Sequence, residues 1–244
     1  MKIYIEENYE DMSKRAAGIV ADQIASNPKT VLGLATGSTI IGMYKDLVER
    51  FKRKEIDFSN VTTFNLDEYY KLERNNKSSY YTYMMENFFE HINVPMEQVH
   101  IPNGITENIY QDCLQYEQKI AHAGGIDLQV LGIGANGHIG FNEPSHKLDI
   151  ITHLVSLTQE TIRDNSRFFE SKDDVPTRAI TMGMGTIMRA RKIILLANGE
   201  NKAEAIKNMT NGYINTQFPS SILQVHRDMT LILDRGAASL IKAE

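Results

Sequence analysis

A single cysteine, Cys113, is all the sulfur chemistry this 244-residue chain offers besides methionine. One thiol excludes an internal disulfide and a structural zinc site built from several cysteines, and it suits a reducing cytoplasm. An excess of positive charge is also missing, since 26 Lys and Arg face 31 Asp and Glu for a formal net charge of −5. That balance gives no support for a nucleic-acid or membrane-surface partner, so any cation needed by an anionic ligand must be supplied locally. No apolar run approaches the length of a membrane span. The start, Met1-Lys-Ile-Tyr-Ile-Glu-Glu7, lacks the basic beginning and apolar centre of a signal peptide. What is present, 42% hydrophobic and 23% charged residues, is ordinary for a globular protein with a real core.

Strand and helix patterns alternate along the chain. Strands are expected over Lys2–Ile5, Thr30–Leu34, Val61–Leu66, Ile126–Ile133, Ala179–Gly183, Lys192–Ala197 and Met229–Leu233. Helices are expected over Glu10–Ser26, Ile40–Lys54, Tyr80–His91, Glu107–Ala123 and Lys202–Met209, the first with Ala16, Ala17, Val20 and Ile24 on one face. Such alternation predicts an α/β fold: a single domain over 1–244 with a mostly parallel, modified Rossmann-like sheet covered by helices on both faces. The polar stretch 158–178, with Arg163, Arg167, Lys172 and Arg178, reads equally as a mobile flap or as an exposed helix–loop.

Three strand ends carry reactive residue types, and in a parallel sheet such ends face one crevice. The first is Leu34-Ala-Thr-Gly-Ser-Thr-Ile40, where Thr36, Gly37, Ser38 and Thr39 precede a helix whose free N–H groups would cradle a phosphate. The same residues also serve as an ordinary helix cap, and the lysine of a Walker loop is absent. The second is Phe64-Asn-Leu-Asp-Glu-Tyr-Tyr70, where burial after an apolar strand would raise a carboxylate's basicity; a solvated acidic loop is the plainer reading. The third is Gly132-Ile-Gly-Ala-Asn-Gly-His-Ile-Gly-Phe-Asn-Glu-Pro144, which places Asn136, His138 and Glu143 in a glycine-laced turn. A histidine beside an acid is equipment for proton transfer near neutral pH. Metal ligand spacing is absent, with Glu143 as the only nearby acid and no second histidine. Gly132–Gly137 matches the dinucleotide fingerprint G-x-G-x-x-G, but Pro144 argues against the helix that fingerprint requires. Farther on, Arg167 and Lys202, the latter at a helix start, are candidates to neutralise a phosphate.

Ala35-Thr-Gly-Ser-Thr39, Asn65-Leu-Asp-Glu-Tyr69, Gly137-His-Ile-Gly-Phe-Asn-Glu-Pro144, Asn165-Ser-Arg167, Pro176–Met184 and Lys202 together resemble the glucosamine-6-phosphate deaminase family nearly end to end. The resemblance implies an isomerase–deaminase that turns glucosamine 6-phosphate and water into fructose 6-phosphate and ammonia, with neither metal nor organic cofactor. Asp67 would move a proton from C2 to C1. His138 would open the pyranose ring, helped by Glu143, with Asn136 orienting it. Thr36, Gly37, Ser38, Thr39, Arg167 and Lys202 would hold the phosphate. Many relatives carry Asp at position 136, and longer, allosteric relatives carry basic residues where this chain has His153 and Val155. A shorter, non-allosteric type is therefore expected. A 6-phosphogluconolactonase, or a sugar-phosphate sensor from a transcriptional regulator, are the competing readings. Asp67 and Phe141-Asn-Glu-Pro144 argue against the first, and the absence of a basic DNA-reading face against the second.

Overall fold

Ten strands and seven helices form two sheets in the computed structural model, which describes residues 1–166, 169, 171 and 174–241. In chain order the elements begin β1 (Lys2–Glu6), α1 (Tyr9–Ser26), β2 (Val31–Leu34), α2 (Ser38–Lys52), β3 (Thr62–Asn65) and β4 (Asp67–Tyr69). They continue through α3 (Tyr80–Asn87), β5 (Val99–His100), α4 (Ile109–His122), β6 (Leu128–Leu131), β7 (His153–Ser156) and α5 (Gln159–Asn165). The last are β8 (Arg178–Thr181), α6 (Met184–Met188), β9 (Lys192–Ala197), α7 (Ala203–Met209) and β10 (Met229–Asp234).

Seven strands make a parallel sheet in the order β1-β10-β9-β6-β2-β3-β5. β2 and β6 are buried at every position and β9 and β10 at all but one, as near-continuous apolar strands covered on both faces must be. From β2 the chain builds outward to β3 and β5, and from β6 it builds the other way to β9 and β10. The reversal falls between β2 and β6, which is where an open α/β sheet leaves a crevice beyond its strand ends. Helix α1 buries Ala16, Ala17, Val20 and Ile24 as its spacing requires, and Asn8 caps it by accepting from the Asp11 amide. The Tyr9 hydroxyl ties α1 to α2, donating to the Ser38 carbonyl and accepting from the Gly42 amide.

A second, three-stranded antiparallel sheet, β4-β8-β7, departs from the sequence expectation. Ala179–Gly183 was expected among the strands of a mostly parallel sheet; its strand instead pairs antiparallel in this small one. Strands of three or four residues carry too few positions for a period-2 pattern to be read. Leu66 joins the two sheets, because its amide donates to the Leu34 carbonyl and its own carbonyl accepts from the Met182 amide. Beneath the small sheet Tyr69, Leu72, Phe141, Leu157 and Ala179 form a separate apolar cluster. The helix expected over Tyr80–His91 ends at Asn87: Phe88 breaks it and packs on Tyr44 and Phe58, and a 3-10 turn covers Phe89–His91. No helix among the described residues is long and apolar enough to cross a membrane.

Candidate active site

The loops after β2, β3, β6 and β9 emerge from four neighbouring parallel strands and meet at one edge of the sheet. Asp67 begins β4 directly after Leu66, so the sheet switch aims it. The residue is 6% exposed, and no hydrogen-bond donor among the described residues reaches its carboxyl. Burial in an unpaired state, with the Glu68 charge next door, pushes its pKa up to about 8. Burial raises the pKa of the adjoining carboxylate as well, but that one is hydrogen-bonded. Glu68 accepts from the amides of Tyr69 at 2.8 Å, Tyr80 at 3.0 Å and Tyr81 at 2.8 Å, which caps α3 and makes Glu68 structural.

Across the crevice, the segment after β6 folds into tight turns rather than a helix, with an isolated bridge between Ile139 and Asn142. That removes the element a dinucleotide site would need. Gly140 stands at φ 59°, and a Cβ there would come within 3.3 Å of Asp67 Oδ2 and 2.8 Å of Thr181 Oγ1. The glycine thus lets the turn close on the carboxyl. A Cβ at Gly134 would overlap the His138 ring at 2.3 Å, so that imidazole lies flat on bare backbone.

Glu143 is the centre of a polar network. Its Oε2 accepts from the Asn136 amide at 2.9 Å and lies 3.4 Å from His138 Nδ1, and its Oε1 accepts from the Thr161 hydroxyl. Nδ1 is otherwise without a hydrogen-bond partner, so Glu143 is the group it faces. Burial opposes the charge of Glu143, but the His138, Thr161 and Asn136 contacts together outweigh it and pull its pKa down to about 2. Asn136 makes no hydrogen bond to the imidazole itself: its Oδ1 accepts from the His138 backbone amide at 3.1 Å, and its side-chain amide donates to Glu143.

At the neighbouring strand ends, Gly37 precedes α2 without any side-chain cap, which leaves the first amides of the helix without a side-chain partner. Thr39 is bound to Asn198 at 2.7 Å, drawing the 36–39 loop against the segment after β9, where Lys202 closes a 3-10 turn over Glu200–Lys202. The Tyr83 hydroxyl secures the loop by donating to the Gly37 carbonyl. Arg167, like Lys172, lies outside the described residues. A cavity of about 310 Å³ lined by Arg74, Asn103, Tyr116, Lys119 and Thr152 lies elsewhere and holds none of these candidates. Among the described residues no group of three or more His, Cys, Asp or Glu side chains is placed to hold a metal ion.

Sequence reasoning passed over Thr161, Thr181 and Asn198. Thr181 sits opposite Asp67 in the β4–β8 ladder and its hydroxyl accepts from the Phe141 amide. Thr181 had a signal in the matching segment Pro176–Met184 and Thr161 in the polar stretch 158–178, but the partner of Thr161, 18 residues away, is invisible without the fold.

The family described as glucosamine-6-phosphate isomerases/6-phosphogluconolactonase matches residues 5–232. The glucosamine-6-phosphate deaminase of Alkaliphilus oremlandii is 67% identical over 241 residues, covering 99% of this chain and 100% of that one. That of Halothermothrix orenii is 58% identical over 241 residues, again 99% and 100%. The solved structure of a monomeric glucosamine-6-phosphate deaminase superposes with a TM-score of 0.96 at 44% identity, over 98% of this chain and 100% of that one. The 6-phosphogluconolactonase of Leishmania guyanensis, at TM-score 0.75 and 18% identity over 99% of each chain, shares the fold alone. A family match over nearly the whole length and full-length relatives well above half identical agree with the sheet and its crevice, and the chain belongs to the glucosamine-6-phosphate isomerase/6-phosphogluconolactonase family, within its deaminases.

Proposed function

We propose that this chain converts glucosamine 6-phosphate and water into fructose 6-phosphate and ammonia, with Asp67 as the base and the Asn136, His138 and Glu143 network as the ring-opening device. The observation that carries the reading is the unpaired, buried carboxyl of Asp67 facing the turn that holds His138 and Glu143. Opening the pyranose requires a proton to travel between the anomeric hydroxyl and the ring oxygen. An imidazole next to a fixed carboxylate suits that exchange. The open chain carries an aldehyde at C1, which acidifies the C2 hydrogen. Asp67 takes that hydrogen as a proton and returns it to C1. The C2 amine then becomes a C2 iminium, which water hydrolyses to the ketone with release of ammonia. A base whose pKa sits near the working pH is well matched to this step, and such bases contribute about 10²–10⁴-fold.

Thr36, Gly37, Ser38 and Thr39 at the start of α2 receive the substrate phosphate, with Lys202 and Arg167 supplying charge. Backbone amides at a helix start favour an anion, and a chain of net −5 needs such local help. Activation by N-acetylglucosamine 6-phosphate is not expected, since His153 already contacts Asp149 at 3.5 Å and Val155 brings no charge.

The test is ammonia and fructose 6-phosphate release from glucosamine 6-phosphate by the parent and by Asp67→Asn, with 6-phosphogluconolactone as a control substrate. Ammonia from the parent and a loss of about 10²–10⁴-fold in the variant are expected. Lactone hydrolysis without ammonia release would overturn the reading.

A further inference from the structure

We infer that Thr161 is a positioning residue for ring opening: its hydroxyl fixes the rotation of the Glu143 carboxylate, and through it the imidazole of His138. The inference rests on the roles proposed above for His138 and Glu143. Thr161 belongs to α5, on a segment separate from the turn that bears the other members of the network, and it is 5% exposed. Its hydroxyl donates to Oε1 of Glu143, and among the described residues Oε1 has no other hydrogen-bond partner. Everything else that touches this carboxylate is on Oε2: the Asn136 amide at 2.9 Å and His138 Nδ1 at 3.4 Å.

The direction of each proton follows from the partners. A hydroxyl has one hydrogen and two lone pairs. The Thr158 hydroxyl, at the cap of α5, donates to Thr161 Oγ1 at 3.1 Å, so a lone pair of Thr161 is occupied and its hydrogen is free for the carboxylate. Thr158 Oγ1 in turn accepts from the Thr161 amide at 3.2 Å. The hydroxyl is therefore held on both sides, and its position is set by the first turn of α5. With Oε1 pinned to α5, Oε2 can only face Asn136 and the imidazole. Without that pin the carboxylate is anchored at one oxygen and its plane turns about the Asn136 contact, while the contact to Nδ1 is already a long one. A methyl-for-hydroxyl exchange would leave the packing of Thr161 in place and remove only this restraint.

Thr161→Val and Thr161→Ser, each made alone and in a Glu143→Gln background, test the inference. Thr161→Val is expected to lower kcat about tenfold with little change in KM, the scale of one hydrogen bond to a charged group. Thr161→Ser, which keeps the hydroxyl, should restore the parent value. In the Glu143→Gln background Thr161→Val should cost nothing further, whereas a packing role would cost the same in both. Thr161→Ala gives a second hydroxyl-free variant should the valine perturb folding, as judged by thermal melts. Independently of turnover, a carbon-13 titration of the glutamate carboxyls should show the Glu143 midpoint rising from about 2 in Thr161→Val. An unmoved midpoint, or equal losses in both backgrounds, overturns the inference. Failure of the parent to release ammonia would sink the proposed reaction, while the carboxyl titration would still decide whether Thr161 holds Glu143.

Discussion

Two carboxyl groups on opposite walls of one crevice have been driven in opposite directions. Asp67 is buried without a donor and holds its proton up to about 8. Glu143 is equally buried, at 8% exposed against 6%, yet stays ionised down to about 2 because amide, hydroxyl and imidazole groups converge on it. Burial is thus common to both, and hydrogen bonding decides the outcome. A bare buried carboxyl is a base kept ready for one proton. A fully bonded one is a fixed charge that holds something else in place. Glu68, one residue from Asp67, marks the limit of that rule: three backbone amides pull its pKa down, but burial outweighs them and holds it above the usual carboxylate value.

The comparison breaks most sharply at Asp67. Asp67→Asn should cost about 10²–10⁴-fold in ammonia release. The same variant should melt higher than the parent, since the substitution removes a carboxyl that the fold leaves unpaired. The sign follows from linkage. A carboxyl whose folded pKa is raised favours folding below its unfolded value near 4, and that contribution is lost as pH rises through about 8. The gap in Tm between variant and parent should therefore widen from pH 5 to 8, and a constant gap would show that Asp67 is not perturbed.

Next in size is Glu143→Gln, which leaves the shape and removes the charge facing His138. A fall in kcat of about 10–10²-fold is expected, from the worth of hydrogen bonds to a charged group. Its linkage runs the other way. Because the folded pKa is lowered to about 2, the stabilisation is present above the usual carboxylate range and is lost as pH falls from about 4 toward 2. Melting curves across that acid window should be flatter for the glutamine variant than for the parent.

Smaller again is the pH dependence of the parent itself. With Asp67 as base, kcat/KM should rise about tenfold per unit as pH approaches 8 and then level. A rate profile flat between pH 6 and 9 would remove the base from position 67. The mildest change is Asn136→Asp. It exchanges the amide that donates to Glu143 for a second acid at 2.9 Å, so activity should survive while the pH profile moves. An identical profile would separate position 136 from the imidazole altogether.

Much of this contrast is visible in the sequence, and some is not. Lys192–Ala197 is a strand over the span its apolar run predicts, and α1 buries the face its spacing marks. Apolar periodicity reports burial against a large sheet, and both elements have one. β6 is shorter than Ile126–Ile133 suggests, because Ile126 and Ile133 are buried as loop residues at its two ends. The antiparallel sheet is illegible for a different reason: β4 is three residues of mixed polarity, and only pairing with β8 makes it a strand. The burial of Asp67 follows from the apolar strand before it, as its sequence context suggests, whereas its antiparallel partner Thr181, more than a hundred residues away, is invisible without the fold. The network at Glu143 was half legible. Asn136, His138 and Glu143 share one turn, and Thr161 arrives from outside it. Arg167 lies beyond the described residues.

Leu66 spends its amide on one sheet and its carbonyl on the other, so the proton acceptor one residue later answers to both. Any tilt of the three-stranded sheet against its larger neighbour swings position 67 relative to the imidazole. Alignment of the reacting groups is in that sense a property of a joint, and substitutions along β7 or β8 that fill or empty space under the small sheet would retune it from a distance.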